Sequence, residues 1–123
     1  MDHVDPEGRT ATPHDSRSGP VVLMNCFVVP EGRDEAFVEL WTETSDYFRA
    51  QPGFRSLRLH RAVSTDAQYR YVNIATWESA AHYAAPHQTD EFRRLVTQDA
   101  WQEFPSNPTL YEVVLEHSLE PAS

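Results

Sequence analysis

The hydrophobic pattern of this chain predicts an α+β fold, a four-stranded antiparallel sheet with its helices on one face. Three observations carry that prediction. Apolar runs of strand length and of helical spacing follow in the order strand, helix, strand, strand, helix, strand. A short turn joins the two middle strands, as in a hairpin. The chain has 123 residues, enough for one core and too few for two.

The first strand is the run Val21 to Val29, closed by the turn signal Pro30-Glu31-Gly32. Asn25 is the polar exception within it. A helix follows over 34–50, where Phe37, Leu40, Trp41, Thr44, Tyr47 and Phe48 recur at three-and-four spacing. Asp34 and Glu35 occupy its first turn, which the helix dipole favours, and Gln51-Pro52-Gly53 ends it. Residues 54–63 alternate, Leu57 and Leu59 on one face, Arg58 and His60 on the other. The turn-like Ser64 to Ala67 leads to a third strand over 69–77. A short helix is expected over 78–85 with Ser79 as cap, and Thr89-Asp90-Glu91 opens a second one carrying Phe92, Leu95 and Val96. Residues 101–108, with two prolines, read as irregular, and 110–117 as the last strand. This order is the split βαβ pattern of a ferredoxin-like fold.

The domain is expected over 21–118. Residues 1–20, rich in Asp, Gly, Pro, Ser and Arg, read as a flexible tail, and 119–123 as a loose end. Ten basic residues against 19 acidic ones give a formal charge of -9, which repels phosphate backbones and argues against nucleic acid. No apolar run approaches the roughly 20 residues of a membrane span, and no apolar leader opens the chain. The single cysteine, Cys26, excludes an internal disulfide framework and suits a reducing cytoplasm.

A four-stranded sheet with helices on one face leaves its other face bare. That face would carry Val22, Met24, Val28, Val72 and Ile74, too apolar for water. A homodimer with the two bare faces together, a dimeric α+β barrel, would cover it. The helix-facing side then holds Leu23, Asn25 and Phe27 of the first strand and Tyr71, Asn73, Ala75 and Trp77 of the third. Asn25 and Asn73 therefore point the same way, into one protomer. A buried amide without partners costs about 1–3 kcal/mol, so either the protein or a ligand must bond to each. Trp77 shares their strand face, and its indole N–H needs an acceptor when buried.

The segment Tyr71-Val72-Asn73-Ile74-Ala75-Thr76-Trp77-Glu78-Ser79, followed by Tyr83, resembles the core motif of the antibiotic-biosynthesis monooxygenases. The match is nearest to members that oxidise anthrones in aromatic-polyketide pathways, and it spans 21–114. The resemblance implies functional roles for Asn73, Trp77 and Tyr83, and for Asn25 by analogy with a related oxygenase. It further implies oxidation of a polycyclic phenol or anthrone by molecular oxygen, to a quinone or by ring opening. Neither metal nor flavin is implied, although some relatives use reduced flavin. An electron-rich enolate can reduce dioxygen directly, so the protein must favour the substrate anion and stabilise an anionic peroxide with fixed donors.

Phe27 and Tyr71 are expected as pocket walls, and His60, His87 and Arg93 as further substrate contacts. His60 or His87 would suit a general base, because imidazole titrates near neutral pH. No metal site is expected: His82 and His87, five apart, do not stack on a helix, and no paired-ligand motif exists. Haem-degrading relatives carry a histidine on the later helix, a position only His87 approaches. The alternative to oxidation is a polyketide cyclase, isomerase or ligand-binding dimer of the same fold. In that case His60 would matter more than Trp77.

Overall fold

In the computed structural model, described over residues 19–97 and 99–119, the expected order of elements is present. Strands β1 (Val21–Phe27), β2 (Phe54–Arg61), β3 (Tyr71–Trp77) and β4 (Ser106–Tyr111) form one antiparallel sheet ordered β2-β3-β1-β4. Helix α1 (Asp34–Arg49) connects β1 to β2. Helices α2 (Ala80–Ala84) and α3 (Asp90–Val96), separated by a 3₁₀ turn over Ala85–Gln88, lie between β3 and β4. The expected N-terminal tail lies outside the described residues except for Gly19 and Pro20, as does the C-terminal end after Leu119.

Side-chain parity in β1 and β3 follows the period of two. Val21, Leu23, Phe27, Tyr71, Asn73, Ala75 and Trp77 are buried, whereas the intervening Val22, Met24, Val72 and Ile74 are less covered. Helix α1 packs its buried stripe, from Phe37 through Trp41 to Tyr47, over the inner face. Two apolar clusters result. Phe27, Phe37, Trp41, Tyr71 and Phe104 form one, and Val21, Leu23, Ala75 and Trp77, joined by Phe54 and Tyr83, form the other. Their rings meet tilted or edge-on, as Phe37 does with Phe27 at 4.9 Å and with Phe104 at 5.3 Å.

The helix starts behave as the sequence requires. Ser79 accepts the amide of His82 at 3.1 Å, and Thr89 that of Phe92 at 3.0 Å. Tyr47 then ties α1 to the α2–α3 segment by donating its hydroxyl to the Pro86 carbonyl at 2.6 Å.

The last strand differs from expectation. It runs over Ser106–Tyr111 and stops before Val113-Val114-Leu115, which are exposed. Pro108 argued against a strand there, but β4 is an edge, where a missing N–H breaks no ladder. It pairs with Asn25 in register.

Gly53 shows where backbone freedom matters. Its φ is +84°, and a Cβ would lie 2.3 Å from the ring of His82. Gly53→Ala is therefore expected to cost at least about 1–2 kcal/mol from the left-handed backbone alone. Thermal unfolding should show a Tm several degrees lower.

Candidate active site

Between the inner sheet face and the helices lies a cavity of about 180 Å³. Asn25 and Asn73 form its floor. They are direct cross-strand partners on β1 and β3, midway between the two apolar clusters. The Oδ1 atoms of both amides are buried without a hydrogen-bond partner among the described residues. The Nε1 atoms of Trp41 and Trp77, which also line the cavity, are buried and equally unpartnered. Two unpaired acceptors and two unpaired donors thus belong to residues that line one apolar space. Each such group costs about 1–3 kcal/mol while unpaired.

Trp77 cannot swing to find another partner. Phe48, Phe54 and Tyr83 hold it edge-on, at ring separations of 6.3, 5.4 and 6.2 Å. Burial raises the pKa of the Tyr83 phenol, so it remains a protonated donor through neutral and mildly alkaline pH.

His87 stacks 4.4 Å from the Tyr83 ring, between Phe48 and Phe92. Its Nδ1 lies 2.7 Å from the Tyr83 carbonyl, which can only accept, so Nδ1 carries a proton and donates it. In the neutral ring Nε2 therefore holds the lone pair. Burial lowers the imidazole pKa, while the backbone bond to Tyr83 pulls weakly the other way. No carboxylate, lysine or arginine lines the cavity among the described residues.

Six sequence-expected residues come together here: Asn25, Asn73, Trp77, Tyr83, Phe27 and His87. Three do not. Tyr71 faces inward, but it packs on Phe37 at 4.8 Å and gives its hydroxyl to Asp34 Oδ2 at 2.8 Å. That bond, with Arg70 Nε at 3.1 Å, holds the Asp34 carboxyl below its usual range. His60 is exposed on the outer face, in register with Val72, because alternation along β2 sends it opposite to Leu57 and Leu59. Arg93 is exposed on α3 and pairs with Asp90 one turn earlier.

Trp41, Phe48 and Trp101 line the cavity without having been singled out as site residues. Trp41 and Phe48 carried a signal, since both belong to the apolar stripe of α1. Trp101 did not, because it lies in a segment whose prolines hid its order. Its Nε1 donates to Thr44 Oγ1 at 3.2 Å.

Among the described residues, no group of three His, Cys, Asp or Glu side chains is placed to hold a metal ion. No helix is long and apolar enough to cross a membrane.

Residues 20–98 match the family model described as antibiotic biosynthesis monooxygenase. A search of curated proteins finds no match. Among solved structures, a Shewanella loihica PV-4 protein, provisionally described as a monooxygenase, is 33% identical. That alignment covers 80% of this chain and 98% of the other, with a TM-score of 0.70. SnoaB of Streptomyces nogalater, a cofactor-independent oxygenase, is 26% identical over 82% of this chain and 97% of its own, with a TM-score of 0.66. A point mutant of MhuD, carrying two manganese protoporphyrins per active site, shares the fold at 23% identity and a TM-score of 0.65, over 80% and 98% of the two chains.

Proposed function

The chain belongs to the antibiotic biosynthesis monooxygenase family, and from that membership we propose that it oxidises a hydroxylated polycyclic aromatic, of anthrone or phenol type, with molecular oxygen. The observation that carries the proposal is the register-paired Asn25 and Asn73, which with Trp41 and Trp77 line an aromatic-walled cavity and leave four buried polar atoms without partners among the described residues. Flat rings suit the walls. Ring hydroxyls suit the unpaired amide oxygens, and a developing oxyanion suits the indole and phenol donors. The substrate supplies the electrons. For an anthrone, the methylene carbon gives its hydrogens and electrons to dioxygen; one oxygen atom becomes the quinone carbonyl and the other leaves as water. The active form is a homodimer, and the substrate an aromatic polyketide intermediate.

SnoaB, described as cofactor-independent, supports this reading at 26% identity. Porphyrin binding, as in the MhuD mutant, comes with 23% identity, which shows the shared fold alone. A cyclase relying on His60 is not supported, because His60 faces away.

The test is oxygen uptake by purified, metal-free protein with a panel of hydroxylated anthrones, with and without reduced flavin. Uptake equal to quinone formed, read with product mass spectrometry, is the expected result. No uptake under either condition would overturn the proposal. Asn73→Leu should separate function from folding. It replaces a buried amide whose oxygen is unpaired with an apolar group of similar shape, so unfolding free energy should hold or rise by about 1–3 kcal/mol while uptake falls. A destabilised variant with undiminished turnover would make Asn73 a structural residue.

A further inference from the structure

We propose that His87 is the general base that removes the substrate's acidic proton and returns it to the peroxide. This rests on the oxidative reading above. Three observations carry it. His87 and Tyr83 are the only titratable side chains lining the cavity among the described residues, and a phenol kept protonated by burial is no base. The imidazole is fixed in one tautomer. Pro86, three residues after Tyr83, has no N–H to offer the Tyr83 carbonyl, and His87 Nδ1–H occupies that carbonyl at 2.7 Å, leaving Nε2 to accept. The ring is also held in place by Phe48 from α1, Tyr83 from α2 and Phe92 from α3, at centroid distances of 5.2, 4.4 and 4.7 Å. Of these neighbours only the Tyr83 phenol titrates. Asp90, Glu91, Arg93 and Arg94 of α3 are exposed, and none lines the cavity.

The steps balance without an external reductant. The substrate O–H or C–H bond breaks, an N–H bond forms at Nε2, and an enolate–imidazolium pair replaces two neutral partners. The enolate passes one electron to dioxygen, and the two radicals join as a C–O bond bearing a peroxide anion. Nε2–H returns its proton to that anion. Neutral Nε2 then takes the remaining C–H proton as the O–O bond breaks. The carbonyl forms, and the departing hydroxide collects the proton as water. With no carboxylate or cation lining the cavity among the described residues, the imidazolium's close counter-charge is the anion it has just made.

The test uses a dihydroxyanthrone and the full-length protein, with His87→Gln and His87→Asn, whose side chains keep a donor within reach of the Tyr83 carbonyl. In wild type, kcat/KM should fall with a single protonation on the acid side, at a pH below that of an ordinary imidazole because burial favours the neutral ring. His87→Gln should lower kcat at neutral pH by about 10²–10⁴-fold. It should also replace that acid limb with one set by the substrate's own ionisation. An anaerobic titration reads the proton transfer by itself: wild type should show the anion's absorption band, and the variants the neutral band. Neutral substrate bound by wild type, no binding at all, or an acid limb retained at the wild-type pH in both variants would each overturn the role of His87. An anion formed anaerobically by wild type without oxygen uptake would support the base and refute the oxidation.

Discussion

Trp77→Ala is expected to lower the unfolding free energy by about 3–5 kcal/mol, the range for emptying a large aromatic site in a core. Trp77 is 2% exposed and touches Phe48, Phe54 and Tyr83 edge-on. Removing it leaves three rings without a common neighbour. Trp77→Phe keeps much of the ring volume but deletes the one polar atom, Nε1, that has no protein partner. That variant should stay folded by denaturant titration and lose about 10²–10³ in kcat, as when a single oxyanion donor is removed. A phenylalanine variant with full activity would show that the indole serves packing alone.

Val72→Asp is expected to convert the proposed homodimer to monomers or to insoluble protein, read by light scattering. Val72 lies on the outer face between Cys26 of β1 and His60 of β2, and among the described residues no helix covers that face. Met24 and Val28 remain 36% exposed there. With Val22, Val72 and Ile74, they make five apolar side chains, each worth about 1.5–3 kcal/mol when fully buried. A carboxylate at their centre would have to be desolvated without a partner, at a cost of several kcal/mol. A monodisperse wild-type monomer would contradict the dimer and leave the bare face unexplained.

The elements and the site were legible to different degrees, for physical reasons. Period-two alternation in β1 and β3 assigned Asn25, Asn73, Trp77 and Phe27 to one face, because a buried sheet face leaves no freedom in parity. The same rule had already placed His60 opposite Leu57 and Leu59, so its assignment to the substrate contradicted the pattern that located it. Tyr71 has the right parity, but its partner Asp34 is 37 residues away. A contact that distant leaves no mark on local sequence. The last strand was misplaced for a related reason. Val113-Val114-Leu115 have strand composition, whereas Ser106 to Tyr111 have an edge to pair with. Pairing is decided by geometry that composition does not carry.

The in-register pairing of Asn25 with Asn73 also limits which length changes this lineage can accept. Moving β1 by one residue would bring Met24 or Cys26 onto the cavity floor and turn the amide outward, exchanging the cavity for the apolar exterior in one step. Insertions and deletions should therefore accumulate in the β2–β3 turn around Val63 to Gln68, where every side chain is exposed, and be purged within the two central strands. A library of single-codon deletions, scored for soluble expression, would map that boundary directly.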